Sequence, residues 1–433
     1  MNDSFSIWSI PPPRRAVWRI GMVRTRSSAA AEVTKSVLKA KSKAKAVIVR
    51  NNGKKQNKNK DSQELSLKAM RIKILDIVTP LSTALIVSRP STTIKTPYLA
   101  DILPSSSSSS SALVKDFQKS IESVVLDISS NSKAKSKELK EISSTFASKH
   151  IDKLQLAHAP SLDCAGMVIP GSMVYTSAST SSTTKSDCVI QFCEELREDG
   201  SYTRVGYHPF LAEKISKELL NKHLVDEVAS YNSIEAQQTY GKSRVDFVLK
   251  DSLNKTMTLL EVKNVVGADY PQGAVPAARS PIGVYEALVP DNAGDSFVYE
   301  RSAIFPHGAV KSGIGVVSDR AIKHIHELTQ MHGTIDGASG ARINSAILFV
   351  VNRSDCTKFR PCHEACMLFA QMLHRAVKMG VMVIAKEVIW EDTIAYLGKS
   401  LPVVFSDVVD ESDIDEKHLR AVLDFNESNG GKN

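Results

Sequence analysis

The spacing of apolar and polar residues divides the chain into two regions of different texture. Between Leu67 and Gly206, apolar residues come in short β-prone runs interrupted by proline, glycine and polar turns; these runs are 72–78, 84–87, 153–158, 166–169, 173–176 and 189–196. Short strands separated by turns are typical of a small β-barrel. After Gly206 the pattern switches between helical and strand periods, which predicts a mixed α/β domain.

The second region has the clearer periodicity. Leu211, Ile215 and Leu219 form one stripe of a predicted helix that begins at Pro209 and extends to about His223. The other predicted helices span 318–332 and 363–379, and the predicted strands span 233–240, 244–250, 256–265, 346–352 and 381–387. We therefore predict a small β-barrel domain over 66–205 and an α/β domain over 206–405.

Four segments do not fit this periodicity. Residues 1–65 are basic and poor in apolar spacing, which predicts a disordered tail. Residues 103–152 include the serine run 105–111 and a stretch rich in Lys, Ser and Glu, so we expect an insertion that is flexible at its ends and helical around 114–126. Residues 266–304 predict a long loop or functional flap, and 406–433 a mobile acidic tail with a helical turn at 419–423.

The excess of basic residues is confined to the amino-terminal segment. The formal net charge is +8, but residues 1–60 hold 15 Lys and Arg and two acids, a local net of +13. Subtraction leaves about −5 for the remainder, so only the tail is basic. The tail resembles an organellar transit peptide, a nuclear-import or polyanion-binding tract, or a merely solvated segment. The sequence does not choose between organelle and nucleus.

The length of the apolar runs and the cysteine content indicate the class of protein. The longest apolar runs have only strand length, so we expect a soluble intracellular protein and no membrane partner. The six cysteines are sparse, which suggests reduced thiols. Cys356, Cys362, His363 and Cys366 lie close together in sequence, but their irregular spacing makes a zinc site a weak alternative.

The most informative charges lie in two consecutive predicted strands. In the strand 256–265, alternation puts Glu261 and Lys263 on one face, with Leu260 and Val262 on the other. In the strand 244–250, Val245, Phe247 and Leu249 should point inward and Asp246 to the opposite side. The turn-forming residues 251–254 predict a hairpin that brings Asp246 beside Glu261.

Two adjacent carboxylates are suited to a hard divalent cation such as Mg²⁺ or Mn²⁺. Lys263 could then orient or deprotonate a water that attacks a phosphodiester. The alternative is an exposed cross-strand salt bridge that only supports the hairpin. The apolar residues that flank both strands weaken this alternative, because they place the charges near the centre of a sheet, where unpaired burial is costly.

The residues around these charges resemble the sugar fermentation stimulation protein A family. The matching segments are 243–247, 261–265, 348–355 with 359–361, the helix residues Arg320, Lys323, His324, Glu327 and Leu328, and the upstream segments 89–91, 94–95, 97–98, 100–101, 157–158 and 170–172. The resemblance covers roughly 80–102 and 153–405. It implies an OB-like barrel followed by a restriction-endonuclease-like PD-(D/E)XK domain with DNA-binding function.

The resemblance also assigns expected roles. Asp246, Glu261 and Lys263 would be the catalytic set, with Asp246 and Glu261 as metal ligands. Glu235, Glu213 or Glu218 could supply a second metal ligand, although plain surface or helix-pair roles are equally expected. The expected nucleic-acid contacts, with DNA as the first partner and RNA as the alternative, are Arg89, Lys95, His158, Arg320, Lys323 and His324.

The chain departs from the family pattern at two elements. Phe305-Pro306-His307 stands where the family carries an acidic residue after Phe-Pro, and 161–163 replace an Asn-Thr-Gly element. Two hypotheses remain open: a metal-dependent nuclease, and a non-catalytic DNA-binding or regulatory protein in which the three charges only support the fold. A role in regulating sugar metabolism would rest on the family name alone.

Overall fold

A computed structural model gives the arrangement of the predicted elements. It describes residues 71–77, 79–105, 108–126, 132–161, 164–179, 185–197, 200–228, 230–241, 243–271, 285–287, 298–311, 314–316 and 319–429. Contacts divide the chain into Met1–Ile72 and Lys73–Asn433. Of the first unit only Arg71 and Ile72 are described, so the tail predicted over 1–65 lies outside the described residues.

The strands are, in chain order, β1 (Lys73–Asp76), β2 (Ser82–Ser88), β3 (Leu99–Pro104), β4 (Gln155–His158), β5 (Met173–Ala178), β6 (Cys188–Leu196), β7 (Tyr202–Gly206), β8 (Ser233–Tyr240), β9 (Ser243–Asp251), β10 (Thr256–Val265), β11 (Gly267–Ala268), β12 (Ser302–Phe305), β13 (Ala309–Lys311), β14 (Ile314–Val316), β15 (Arg342–Val351), β16 (Lys358–Pro361), β17 (Met382–Glu391) and β18 (Ile394–Ser400). The helices are α1 (Ser108–Leu126), α2 (Ser132–Lys149), α3 (Pro209–Asn221), α4 (Asp319–Met331), α5 (Met367–Lys378) and α6 (Glu416–Asn429).

Five strands close a small barrel in the order β4-β3-β2-β5-β6, because β4 also pairs with β6. The barrel core contains aliphatic side chains such as Ala84, Ile102 and Ile190. β7 extends the sheet beyond β6 and leads through Gly206 into α3. This arrangement confirms an OB-like β domain in front of an α/β region.

The α/β region is built on a seven-stranded sheet in the order β1-β18-β17-β15-β10-β9-β8. Its central strands β10, β15 and β17 are parallel and mostly buried, as expected for strands covered on both faces. α3 packs on one face, with Leu211, Ile215 and Leu219 buried as predicted. α4 and α5 pack on the other face, and α6 lies against α4. The fold class is thus a mixed α/β architecture, and the PD-(D/E)XK assignment stays a prediction.

Ion pairs connect the barrel to this sheet. Arg353, directly after β15, is almost completely buried and pairs with Glu195 of β6 at 2.9 Å. The same guanidinium pairs with Asp355 at 2.7 Å. A buried pair is tolerated when each charge is matched and hydrogen bonded.

Several sequence-based expectations need correction. β1 pairs with β18 in the seven-stranded sheet, although the boundary at 66 assigned it to the barrel domain. The segment 166–169, predicted as a strand, begins at the last residue of a 3-10 turn (Cys164–Gly166) and is not part of a sheet. Both errors have one cause: local apolar composition does not determine which strand a segment pairs with.

The segments predicted to be irregular are more ordered than expected. Within 103–152, α1 extends beyond the expected helix and α2 follows it; Phe117, Ile121 and Leu139 bury themselves against the barrel. The predicted acidic tail contains α6, which buries Leu419 and Val422. The ends of the predicted loop 266–304 form β11 and β12, while 272–284 and 288–297 lie outside the described residues.

Candidate active site

Glu261 and Lys263 lie on β10, which is parallel to β15 and antiparallel to β9. The predicted alternation is confirmed: Leu260 and Val262 pack on the α3 side, whereas Leu259 packs with α4 and α5. Glu261 and Lys263 share the side of Leu259. The Glu261 side chain is only 5% exposed, so its charge must be matched by neighbouring groups.

Two cationic or polar side chains contact the Glu261 carboxylate. Lys263 Nζ and His324 Nδ1 both hydrogen bond to Glu261 Oε1. Burial opposes the charged carboxylate, but the hydrogen bond from His324 and the charge of Lys263 outweigh it and hold the pKa of Glu261 below its usual value. Because both bonds go to Oε1, Oε2 has no hydrogen-bond partner among the described residues.

His324 connects this carboxylate to an arginine at the surface. Arg320 Nε donates to His324 Nε2 at 3.4 Å, one helical turn away on α4. Arginine can only donate, so Nε2 accepts and Nδ1 carries the proton that is donated to Glu261. Each ring nitrogen of His324 therefore has a hydrogen-bond partner.

Asp246 lies beside this group, at the point where β9 separates from β10. The last paired residues of the two strands are Phe247 and Leu260. Beyond them Asp246 Oδ2 accepts a hydrogen bond from the Val262 backbone N–H at 2.7 Å, and Oδ1 accepts one from Gln237 Nε2 at 3.2 Å. The predicted hairpin thus brings Asp246 next to the Glu261 strand, as expected.

The electrostatics of Asp246 differ from those of Glu261. Burial and the charge of Glu261 raise the pKa of Asp246, and the Val262 N–H and Lys263 oppose this only partly. Among the described residues, Asp246 forms no ion pair within 4.0 Å. The site therefore has a surplus of negative charge, which a bound cation would relieve.

The face predicted for Val245 needs correction. Phe247 and Leu249 pack on the α3 side, as expected, but Val245 packs with the α4 and α5 cluster. Strict alternation fails here because pairing with β10 stops at Phe247.

The three carboxylates predicted as candidates for a second metal ligand differ in their contacts. Glu213, exposed on α3, raises the pKa of Asp246 and is therefore near the site. Glu235 on β8 pairs with Lys250 at 2.6 Å, and Glu218 pairs with Lys222 at 3.9 Å within α3. Only Glu213 is left as a candidate for additional coordination. Gln237, which holds Asp246, was missed because no sequence motif marks it.

Some of the side chains predicted to contact nucleic acid form bonds within the protein, whereas others are exposed. Arg89 is used within the barrel, where it donates to Pro97 O at 2.9 Å and Ser161 O at 2.7 Å. His324 is 8% exposed and holds Glu261, which places it inside the site rather than at a phosphate-binding surface. Lys95 and Arg320 are exposed.

Lys323 and His158, also predicted to contact nucleic acid, both interact with neighbouring residues of this chain. Lys323 pairs with Glu327 at 3.7 Å along α4. Burial lowers the pKa of His158, so its imidazole is predominantly neutral near pH 7 and offers no charge to a phosphate. His158 lies instead at the end of β4, next to α3 through its interaction with His208.

Metal sites built from three or more protein side chains are absent from the described residues, which include Cys356, Cys362 and His363. His307, which replaces the acidic residue of the family pattern, has its pKa lowered to about 4 by burial and is neutral near pH 7. None of the helices in the described ranges combines the length and apolar composition of a membrane span.

Comparisons with known proteins fit this architecture. Residues 210–283 and 315–393 match the Sugar fermentation stimulation protein RE domain. A Sugar fermentation stimulation protein homolog from Cyanothece sp. is 28% identical over 246 residues, covering 56% of this chain and 82% of that protein. One from Trichormus variabilis is 27% identical over 253 residues, covering 57% and 85%.

Among solved structures, Pyrococcus furiosus SfsA in complex with Ca²⁺ aligns with a TM-score of 0.48 and 15% identity, covering 77% of this chain and 99% of that one. The matched domain contains Asp246, Glu261, Lys263 and His324, and the alignments with the relatives extend over most of their length. The chain belongs to the sugar fermentation stimulation protein family.

Proposed function

We propose that this chain is a divalent-metal-dependent nuclease whose active site is Asp246, Glu261 and Lys263, with DNA as the expected substrate and RNA as the alternative. The observation that carries the proposal is the surplus negative charge of the site. Two neighbouring carboxylates lie beside a single lysine, which pairs with Glu261, and burial together with the charge of Glu261 raises the pKa of Asp246. A purely structural salt bridge would not need the second carboxylate.

The residues fit a Mg²⁺ or Mn²⁺ ion of the kind that nucleases use. Glu261 Oε2 is free of hydrogen bonds to the described residues, and each Asp246 oxygen accepts one bond and keeps a second lone pair. Mg²⁺ is commonly held by one or two carboxylates, with waters and substrate phosphate completing its shell. The absence of a third protein ligand in the described residues is compatible with that mode of binding.

Each residue then has a defined task. A bound metal would supply Lewis acidity at the scissile phosphate. Asp246 is held by the Val262 N–H, and Glu261 by His324, so both carboxylates are oriented before substrate binds. Lys263 lies beside them and can orient the attacking water or stabilise charge on the phosphate. Arg320, exposed next to His324, is placed to contact a phosphate oxygen.

A second function is favoured by one specific observation. The Lys263 ammonium already pairs with Glu261, as a support residue would. In that case the protein binds nucleic acid without cleaving it, and the ionic group stabilises the strand ends.

The test is cleavage of labelled DNA and RNA by the full-length protein with Mg²⁺ or Mn²⁺. Asp246→Asn keeps the side-chain size and removes the charge, and we expect a loss of at least about 100-fold in rate. Glu235→Gln is the matched control, because Glu235 is a carboxylate in the same sheet paired with Lys250. Equal losses in both variants, or salt-sensitive binding without any cleavage by the wild type, would favour the second function.

A further inference from the structure

Two exposed aromatic side chains lie near the segment that joins the barrel to α3. Phe210, in the first turn of α3, is 63% exposed, and Tyr98, in the segment between β2 and β3, is 44% exposed. A single exposed aromatic residue needs no explanation. These two are linked by a pair of histidines.

Backbone pairing and ring stacking place these four side chains near one another. The Ala159 N–H donates to Tyr98 O at 2.8 Å, and His158 pairs in register with Leu99, so Tyr98 lies beside the end of β4. His158 pairs in register with Val189 of β6, and the His208 N–H donates to Gln191 O, two residues farther along β6, at 3.3 Å. The His208 ring stacks on Phe210 with centroids 5.3 Å apart. We call Tyr98, His158, His208 and Phe210 the aromatic row.

The histidines of the row are neutral at physiological pH. Burial, together with His158 and Lys214, lowers the pKa of His208 to about 4, and burial lowers that of His158. The row thus offers ring faces rather than charges. Exposed cations stand next to it: Lys95 in the Tyr98 segment and Lys214 one turn after Phe210. Ring faces combined with nearby cations are the elements that bind bases and backbone of an unpaired strand.

The segment that carries Tyr98 is held in a defined shape. Asp101, 3% exposed, accepts hydrogen bonds from Ser91 Oγ at 2.5 Å and from the Thr92 N–H at 2.7 Å. Arg89 ties the other end of the segment to Ser161. A preformed surface loses little conformational entropy on binding, which favours a binding role.

The row continues toward the candidate active site. Leu211, which follows Phe210 on α3, packs in the same cluster as Phe247 and Val262, the chain neighbours of Asp246, Glu261 and Lys263 on β9 and β10. Stacking on the row requires bases whose faces are open, and in a duplex these faces are covered by neighbouring base pairs. We propose that the aromatic row binds single-stranded nucleic acid and directs the unpaired strand toward Asp246, Glu261 and Lys263; the second half of this statement rests on the proposed function.

The test compares affinities of the full-length protein for a labelled single-stranded oligonucleotide and for the matching duplex. Fluorescence anisotropy in EDTA prevents cleavage and separates binding from catalysis. We expect Tyr98→Ala and Phe210→Ala each to weaken single-strand binding by about 5- to 100-fold, with a much smaller effect on the duplex. Phe210→Tyr should retain the affinity, because a ring face remains.

Tyr202→Ala is the matched control. Tyr202 is also 63% exposed, but it lies at the hairpin end of β7, away from the end that leads to His208. The readout is the ratio of single-strand to duplex affinity, because phosphate contacts from the basic first sixty residues would raise both.

Unchanged single-strand affinity in Tyr98→Ala and Phe210→Ala, or an equal loss of duplex affinity, would overturn the proposal. Circular dichroism confirms that the variants are folded. Failure of this proposal is distinguishable from failure of the proposed function. Binding that depends on the row without any cleavage would remove only the nuclease, and cleavage that is indifferent to Tyr98 and Phe210 would remove only the row.

Discussion

Gly206 lies where β7 leaves the barrel and approaches the end of the seven-stranded sheet. A Cβ at this position would be 2.6 Å from Trp390 Nε1 and 3.0 Å from Asn352 Oδ1. Both neighbours are buried, and Trp390 Nε1 donates to Asn352 Oδ1 at 3.1 Å. Asn352 Nδ2 also donates to Asn264 Oδ1 at 2.6 Å. Gly206→Ala must therefore push apart a connected set of buried hydrogen bonds.

The expected cost has two parts. Forcing a methyl group into a packed interior costs about 1–3 kcal/mol. Losing the Trp390 hydrogen bond leaves a buried polar group unsatisfied, which costs about 1–3 kcal/mol more. We expect Gly206→Ala to lower the free energy of unfolding by about 2–6 kcal/mol.

The assay is urea unfolding followed by far-ultraviolet circular dichroism. Gly337→Ala is the control, since a Cβ at Gly337 meets no atom within 4 Å and its φ is not positive; its effect should stay within about 0.5 kcal/mol. If Gly206→Ala were as harmless as Gly337→Ala, the close junction between barrel and sheet would be refuted.

Three further predictions concern the supports of the fold. Arg353→Met leaves Glu195 and Asp355 as buried carboxylates and should cost about 3–5 kcal/mol in urea unfolding, with partial recovery on adding Glu195→Gln. The unfolded chain protonates His307 below its ordinary pKa of 6.5, whereas the folded state resists protonation until about 4. Stability should therefore fall by about 1–2 kcal/mol from pH 7 to pH 5, and His307→Asn should reduce that fall; an unchanged pH dependence would contradict it. Phe117→Ala should cost about 3–5 kcal/mol by the same unfolding assay, because α1 packs on the barrel rather than lying free; a cost below about 1 kcal/mol would refute that packing.

Local periodicity was sufficient for the strand hairpin that carries the site. Alternation along β10 placed Glu261 and Lys263 together, and the turn after β9 brought Asp246 to the same region. These features depend on residues within one hairpin, where sequence distance and spatial distance agree. The helix 209–221 was also predictable, since its apolar stripe and Pro209 are local signals.

Contacts between distant segments could not be read from the sequence. His324 matched a family position, but its hydrogen bond to Glu261 spans 63 residues and turned an expected phosphate contact into a positioning residue. The pairing of β1 with β18 joins the start of the described chain to its last strand. α6 was predicted only as a helical turn at 419–423, because its few apolar residues are stabilised by packing in the cluster that contains α4 and α5.

The central claim is that Asp246, Glu261 and Lys263 hydrolyse phosphodiester bonds with a divalent metal. The most direct measurement is single-turnover cleavage of mixed labelled DNA and RNA by the full-length wild type and by Lys263→Met, at protein concentrations that saturate binding. We expect cleavage only with Mg²⁺ or Mn²⁺, and a rate at least about 100-fold lower in Lys263→Met at unchanged affinity. Equal rates in the two proteins, or no cleavage by the bound wild type with either metal, would contradict it.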